Sequence, residues 1–360
     1  MRLDRIEVPG EHEARERAWQ VVRAAYAERE PAARPRRRLV PAVALGLAAV
    51  VAAVALTPPG RAVVDGVRKA IGIESAEEAL FSLPAPGRLL VVSDAGAWAV
   101  AEDGSERHLG DYRDATCSPF GRFVVVAAPN QLAALEPDGD VRWKLARPGV
   151  RAPDWGGTLT DTRIAYVSRG LVRVVAGDGT GDRPLMPGRA AAWFPGSVRL
   201  LAVARPRGVS LVDADGRRTR WTARVPAARL AWSADGTRLL ALGAGRYTLL
   251  SAAGKVLATG DASSASFAPH GHALALVRRT ATGSELAVRG RLRFQGTGTF
   301  EDATWSPDGR WLAVSWREAD QLVFVRAAGP RRIVAAANVS AQFDSASPPR
   351  VSGWCPADQS

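Results

Sequence analysis

Few residues in this sequence have the spacing that catalysis or metal binding requires. Of the four histidines only His270 and His272 lie together, in a segment that predicts an exposed turn. A metal site needs further ligands, and the sequence offers none that can be placed beside them, so we interpret the pair as an ordinary turn. The two cysteines, Cys117 and Cys355, lack the paired spacing of zinc sites.

One further segment could be mistaken for a site. Residues 173–185, RVVAGDGTGDRPL, are rich in glycine and acid but match neither the acidic spacing of an EF-hand nor the Gly-Lys-Ser/Thr of a P-loop. The G-x-S-x-G string of a nucleophile elbow does not occur. We therefore predict no catalytic, metal or cofactor site, and no enzymatic activity.

The chain is strongly basic, with a net charge of +12 from 48 basic and 36 acidic residues. Such a charge attracts anionic lipid headgroups, cell-wall polymers or nucleic acid. The basic residues are nearly all arginine and are scattered along the chain, without a concentrated basic motif. Nucleic acid is therefore not an expected partner.

A single uncharged stretch divides the chain. Residues 39–57 carry no charge over 19 positions, enough for a helix to cross a bilayer, and the arginine-rich residues 34–38 precede it. We predict a transmembrane helix with residues 1–38 in the cytoplasm and residues 58–360 exported to an extracytoplasmic location at the cell membrane. The competing interpretation, a cleaved signal peptide, requires an unusually long preceding region.

The cytoplasmic segment contains a predicted amphipathic helix at residues 11–30. Its apolar face includes Trp19, Val22 and Tyr26. Two interpretations stay open: a juxtamembrane helix that rests on the bilayer, or a docking helix that captures a cytoplasmic protein through these three side chains. Beyond the membrane segment, residues 58–86 predict a stem with a short helix at 61–73, and the domain at 87–360 begins where the hydrophobic period becomes alternating.

An internal repeat of about 38 residues runs through this domain. An anchor residue, usually aromatic, precedes a turn and a β-rich run, and the anchors are Cys117, Trp155, Trp193, Trp232, Phe267, Trp305 and Trp354. A second mark is a hairpin glycine, predicted in a type I′ turn with positive φ, at Gly104, Gly139, Gly179, Gly216, Gly254, Gly290 and Gly329. Both marks count seven four-stranded units, which predicts an all-β, seven-bladed β-propeller.

The order of the two marks predicts how the ring closes. The domain begins with a hairpin that lacks an anchor and ends with the anchor Trp354, so residues 351–356 should form the innermost strand beside residues 87–93 and 97–102. This closure makes Cys117 and Cys355 neighbours, which permits a disulfide in an exported domain, although two separate buried thiols are the default expectation.

The motif WSPDGRWLAV at 305–314 and its weaker copies resemble the repeat of TolB-like propellers. The arginine-flanked membrane segment makes the layout similar to membrane-tethered propeller proteins of actinobacterial type, some of which look like anti-sigma regulators. Residues 135–145, LEPDGDVRWKL, resemble the tryptophan-docking repeat of quinone-dependent dehydrogenases, but only residues 213–221 weakly repeat them. That second resemblance does not predict a cofactor.

These features predict a non-enzymatic binding or scaffold module that presents its rim or central channel to a protein, a peptide or a cell-wall component. The alternative is a transmembrane regulator in which residues 1–38 hold a cytoplasmic partner, such as a sigma factor, and the propeller senses. Both functions use the same architecture.

Overall fold

The computed structural model describes residues 82–158, 160–216 and 218–357, and the backbone of Ser75–Glu77. The helices predicted at 11–30 and 61–73 and the membrane helix predicted at 39–57 lie outside the described residues. No helix within the described part of the chain is long and apolar enough to cross a bilayer.

Seven antiparallel sheets form the blades of a β-propeller, as the repeat predicted. Blades 1 to 5 each consist of four consecutive strands, blade 6 adds a fifth strand to its four consecutive ones, and blade 7 combines strands from both ends of the domain. The strands are, for blade 1, β5 (Asp114–Cys117), β6 (Val124–Ala128), β7 (Gln131–Leu135) and β8 (Val141–Ala146); for blade 2, β9 (Arg151–Gly157), β10 (Thr162–Ser168), β11 (Leu171–Ala176) and β12 (Arg183–Pro187); for blade 3, β13 (Ala190–Trp193), β14 (Leu200–Arg205), β15 (Gly208–Asp213) and β16 (Thr219–Ala223); for blade 4, β17 (Arg229–Trp232), β18 (Arg238–Gly243), β19 (Arg246–Ser251) and β20 (Val256–Asp261); for blade 5, β21 (Ser264–Phe267), β22 (Leu274–Arg279), β23 (Gly283–Val288) and β24 (Arg291–Thr297); for blade 6, β25 (Phe300–Trp305), β26 (Trp311–Trp316), β27 (Gln321–Arg326) and β28 (Ile333–Ala337); and for blade 7, β29 (Arg350–Cys355), β2 (Arg88–Ser93), β3 (Gly96–Val100) and β4 (Glu106–Gly110).

The burial of each strand follows its place in the blade. Second and third strands are apolar on both faces, as in β6 and β26, because a neighbouring blade packs on each side. Most fourth strands are largely exposed, as in β20, whereas β28, which pairs with β1 (Ser75–Glu77), is mostly buried. Each seam between blades contains a cluster of buried aliphatic and aromatic side chains, and the seam between blades 4 and 5 has the smallest cluster, built on Leu242, Ala262 and Leu276.

Ring closure occurs as predicted. In blade 7, β29 is the first strand and pairs with β2, where Trp354 lies opposite Leu89. β2 then pairs with β3, and β3 with β4. The strand missing at the start of the domain therefore comes from its end, and β29 pairs with the inner edge of β2.

We define the lower rim as the edge formed by the turns between first and second strands (1–2 turns) and between third and fourth strands (3–4 turns). The upper rim is the opposite edge, where first strands begin. All seven predicted hairpin glycines lie in 3–4 turns.

The turn geometry differs from the prediction at most of these glycines. The N–H of Gly104 donates to the carbonyl of Ala101 at 3.0 Å, so this glycine (φ 85°) is the fourth residue of its turn, the position that follows a type I turn in a three-residue hairpin loop. Only at Gly290 do two successive residues with positive φ, Arg289 and Gly290, form a two-residue loop of the type I′ kind. At Gly216 the predicted positive φ is wrong, because the Asp213 carboxylate accepts the Gly216 N–H and shapes the turn instead.

A belt of side-chain hydrogen bonds links neighbouring blades at the lower rim. In five blades, a side chain of the fourth strand donates to a backbone carbonyl in the next blade's 3–4 turn, at 2.6 to 3.0 Å; the pairs are Arg107–Asp138, Trp143–Gly177, Arg183–Ala214, Trp221–Ala252 and Arg293–Arg326. Trp143 and Trp221 belong to the two segments that resemble a tryptophan-docking repeat. A Cβ atom on Gly179 would stand 2.7 Å from the Trp143 ring, so this turn requires glycine.

Three small elements were not predicted. β1 (Ser75–Glu77) lies within the predicted stem and pairs in parallel with β28, which makes blade 6 five-stranded. A 3-10 turn (Arg317–Ala319) and α1 (Val339–Gln342) follow β26 and β28. Such short elements carry no hydrophobic period that sequence analysis could detect.

Candidate functional site: the central channel

The seven first strands surround a central channel. A cavity of about 330 Å³ in this channel is lined by residues of every first strand, including Thr116, Asp154, Leu230, Ser266 and Ser352. This volume is at the lower end of the range for small-ligand sites. The anchor residues predicted from the repeat end or nearly end these same strands, so most of the channel lining lies one to three residues before each anchor.

Charged residues at the upper mouth of the channel are mostly paired. Arg229 Nη1 lies 2.6 Å from Asp302 Oδ1, across from blade 4 to blade 6. Arg350 Nη2 lies 3.5 Å from Asp114 Oδ1. Asp302 (φ 44°) stands in a bulge of β25, and bulges commonly redirect a side chain beside a functional site.

Asp154 differs from these mouth residues. Its Oδ2 accepts the backbone N–H of Trp193 at 2.8 Å, whereas Oδ1 accepts no hydrogen bond from the described residues. The inner strands enclose the carboxylate, although part of the residue stays open to the channel. Burial raises the pKa of Asp154 to about 6, and the hydrogen bond from Trp193 opposes that shift. The channel therefore contains one carboxylate with a free acceptor oxygen.

The anchor tryptophans are buried between neighbouring blades, next to the channel-lining residues in the first strands. The indole N–H of Trp305 donates to the carbonyl of Ser266 in the preceding blade at 3.1 Å. The indole nitrogens of Trp155, Trp193, Trp232 and Trp354 are buried and have no hydrogen-bond partner in the described part of the chain. These side chains act mainly through the apolar area that they bury between blades.

The two cysteines form a disulfide. Cys117 ends β5 and Cys355 ends β29, their Cα atoms are 5.4 Å apart, and the bond joins the first strands of blades 1 and 7. The structure thus has a covalent link where two separate thiols were the default expectation. Trp19, Val22 and Tyr26, the predicted contacts for a cytoplasmic partner, lie outside the described residues.

His270 and His272 are both exposed, and His272 contacts the neighbouring blade. His272 Nδ1 lies 2.7 Å from Asp235 Oδ2 in the neighbouring blade's 1–2 turn. Hydrogen bonds from Ser233, His272 and Thr237 hold the pKa of Asp235 well below its usual range. Within the described ranges, no group of three or more His, Cys, Asp or Glu side chains could hold a metal ion.

Two aspartates of the glycine-rich segment 173–185 have structural roles. Asp178 Oδ1 accepts the N–H and hydroxyl of Thr180 and shapes the turn. Asp182 accepts hydrogen bonds from Tyr166, Arg173 and Arg147, which satisfy its buried carboxylate. Burial raises the pKa of Asp182, but these hydrogen bonds outweigh it and the pKa is lowered overall.

Sequence reasoning missed Asp154 as a channel residue. The signal was available, since Asp154 directly precedes the anchor Trp155, at a position held by Thr116, Ala192, Ala231, Ser266, Thr304 and Gly353 in the other repeats. An ionisable side chain at a position that is otherwise small or neutral would have identified it.

No protein-family model and no curated protein matches the chain. Among solved structures, the C-terminal WD40 domain of Sif2 is similar with a TM-score of 0.53 and 13% identity, over 70% of this chain and 83% of that one. The β-propeller domain of Cps50 (Swd1) from Myceliophteria thermophila has a TM-score of 0.49 and 14% identity, over 62% and 86%. Hydrazine synthase of Kuenenia stuttgartiensis has a TM-score of 0.46 and 12% identity, over 60% and 76%. The likeness to the WD40 domain of Sif2 shows a β-propeller fold and does not show a function.

Proposed function

We propose that this chain is a membrane-anchored, extracytoplasmic binding protein of TolB-like type, whose propeller holds a ligand at the central channel without acting on it chemically. The observation that carries the proposal is Asp154, a buried carboxylate with a free oxygen inside a cavity lined by all seven blades. A buried acceptor of this kind favours a ligand that brings a positive charge. We infer that the ligand is a peptide or protein segment that inserts a lysine or arginine side chain.

Two observations support the proposed location. Residues 39–57 are long and uncharged enough to span a bilayer, with arginines on one flank. The Cys117–Cys355 disulfide suits an oxidising compartment outside the cytoplasm. A C-terminal alkaline phosphatase fusion tests this location, because that enzyme becomes active only after export. An inactive fusion with normal expression would contradict it.

Peptide selection tests the binding site. A displayed library of random peptides would be selected on the full chain in lipid nanodiscs, with empty nanodiscs to remove background. We expect enrichment of peptides that contain lysine or arginine, and loss of that enrichment in Asp154→Asn. Asp261→Asn is the matched control, because Asp261 is exposed and its ion-pair partner among the described residues is Arg246. Equal selection by Asp154→Asn and wild type would refute the role of the channel carboxylate.

The second candidate is a transmembrane regulator, which the apolar face of the predicted helix at 11–30 favours. Residues 1–38 would capture a cytoplasmic protein, such as a sigma factor, and the propeller would act as the sensor. A pull-down with the full chain and with Trp19→Ala tests this role. Retention of one cytoplasmic protein that is lost in the variant supports it, and no specific retention contradicts it.

A further inference from the structure

The 3–4 turns of the lower rim carry different charges in the two halves of the propeller. In blades 7, 1, 2 and 3 the residue before the 3–4 turn glycine is an aspartate; these are Asp103, Asp138, Asp178 and Asp215. In blades 4, 5 and 6 the same turns carry basic residues instead; these are Lys255, Arg289, Arg291, Arg331 and Arg332. The 3–4 turns of blades 4 to 6 are therefore basic and those of blades 7, 1 and 2 acidic, although the arginines look scattered along the sequence.

Arg293 is at the centre of this basic half. Its guanidinium donates to the carbonyl of Arg326 at 3.0 and 2.8 Å, and to the carbonyl of Gly329 at 3.2 Å. Burial and the positive charges of Arg331, Arg291 and Arg326 lower the pKa of Arg293. Among the described residues, no carboxylate forms an ion pair with Arg291 or Arg293. An approaching anion would relieve this repulsion.

Exposed aliphatic side chains lie among these basic residues. Leu292 is 52% exposed, and Val256 and Leu257 are 54% and 53% exposed. All three follow a 3–4 turn directly, on the outer strands of blades 4 and 5. Positive charge mixed with exposed aliphatic side chains is the composition of proteins that bind the surface of an anionic bilayer.

The path of the chain leads to the same half of the rim. β1 runs parallel to β28, with Ser75 opposite Val334, so the amino end of β1 lies at the lower rim beside Arg331 and Arg332. Only residues 58–74 separate β1 from the predicted membrane segment. Seventeen residues reach at most about 60 Å when fully extended and about 25 Å as a helix. A membrane anchor would therefore keep this half of the rim near the bilayer.

We propose that the basic half of the lower rim, formed by Lys255, Val256, Leu257, Arg291, Leu292 and Arg331, rests on anionic lipid headgroups. This inference rests on the membrane anchor of the proposed function. It orients the propeller with its upper rim, and the charged mouth of the channel, away from the membrane. Arginines bind the lipid phosphates, and the aliphatic side chains enter the headgroup layer.

Site-specific labelling tests this orientation in the full chain. Because Cys117 and Cys355 form a disulfide, Leu292→Cys introduces a single free thiol for an environment-sensitive fluorophore. Leu171→Cys is the matched control, since Leu171 is an exposed leucine (37%) that begins β11 at the upper rim. Both proteins would be reconstituted in nanodiscs that contain a nitroxide-labelled lipid, with either phosphatidylglycerol or phosphatidylcholine as the bulk lipid.

We expect strong quenching of the label at position 292 in phosphatidylglycerol, and little at position 171. High salt should reduce the quenching at 292, because it screens the contact with phosphates. Arg291→Gln with Arg331→Gln should weaken docking about fivefold per arginine. Equal quenching at both positions would overturn the inference. Quenching at position 292 that is the same in both lipids, at low and high salt, and in the variant with both substitutions would also overturn it.

Alkaline carbonate extraction of native membranes separates this inference from the proposed anchor. Release of the chain by carbonate would refute the anchor, whereas the difference in quenching between positions 292 and 171 still tests the rim. A chain that resists carbonate but shows no quenching at position 292 keeps its anchor and refutes the docked rim.

Discussion

Cys117 and Cys355 are bonded to each other across the seam between blades 1 and 7, although 238 residues separate them in the chain. This bond joins the first strand of the first complete blade to the strand that closes the ring. It therefore links almost the whole propeller into one covalent loop. A crosslink that closes so long a loop removes much of the conformational freedom of the unfolded chain.

Removal of the disulfide should lower stability by about 3 to 5 kcal/mol. The variant with Cys117→Ser and Cys355→Ser should unfold at lower denaturant concentration than the oxidised wild type, as followed by near-UV circular dichroism. Chemical reduction of the wild type is the control, and it should shift the midpoint by a similar amount. A double variant as stable as the oxidised protein would contradict this expectation.

Deletion of residues 351–360 should open the ring. It removes β29 and exposes the edge of β2 and the buried Leu89, so we expect aggregation measurable by light scattering. Deletion of residues 358–360 alone is the control, since it leaves β29 intact. A monomeric 351–360 deletion with an unchanged melting profile would show that closure does not need this strand.

Asp154 should make stability depend on pH. Because burial raises its folded pKa to about 6, above that of the unfolded chain, its contribution is fully present below about pH 4 and is lost as the pH rises through 6. The loss is about 3 kcal/mol at most. Asp154→Asn should therefore gain stability relative to wild type between pH 4 and 7 in thermal unfolding. The exposed control Asp261→Asn should follow the wild type, and an identical pH profile for Asp154→Asn would contradict the buried site.

Two anchor tryptophans should respond differently to phenylalanine. Trp305→Phe removes the hydrogen bond to the Ser266 carbonyl, whereas Trp193→Phe removes an indole N–H that is buried without a partner. Both lose buried area, but we expect Trp305→Phe to cost about 1 kcal/mol more. Denaturant midpoints of the two variants measure this difference. A larger loss in Trp193→Phe would contradict it.

How far the sequence predicts this fold can be seen from single residues. The turn glycines such as Gly104 recur every 35 to 40 residues, and so do the anchors apart from the 49 residues between Trp305 and Trp354, because each blade needs the same local chemistry. That repetition alone was sufficient to predict the number of blades. It also predicted that the strand containing Trp354 pairs with β2, the first strand of the domain in chain order that belongs to blade 7. The type of turn was harder, since Gly104 and Gly290 occupy different turn positions that depend on loop length.

The sequence by itself determined the seven-bladed ring. It also determined that a strand from the end of the domain closes the ring by pairing with a strand from its start, because both features follow from periodic local signals. Only the tertiary structure decided that Cys117 and Cys355 are bonded, that Asp154 faces the channel with a free oxygen, and that the arginines of blades 4 to 6 gather on one half of a rim. The physical reason is the same in each case. These properties depend on distances and on exclusion of water between residues in different blades. The repeat could have indicated Asp154 as a channel residue, but not that one of its oxygens has no partner among the described residues.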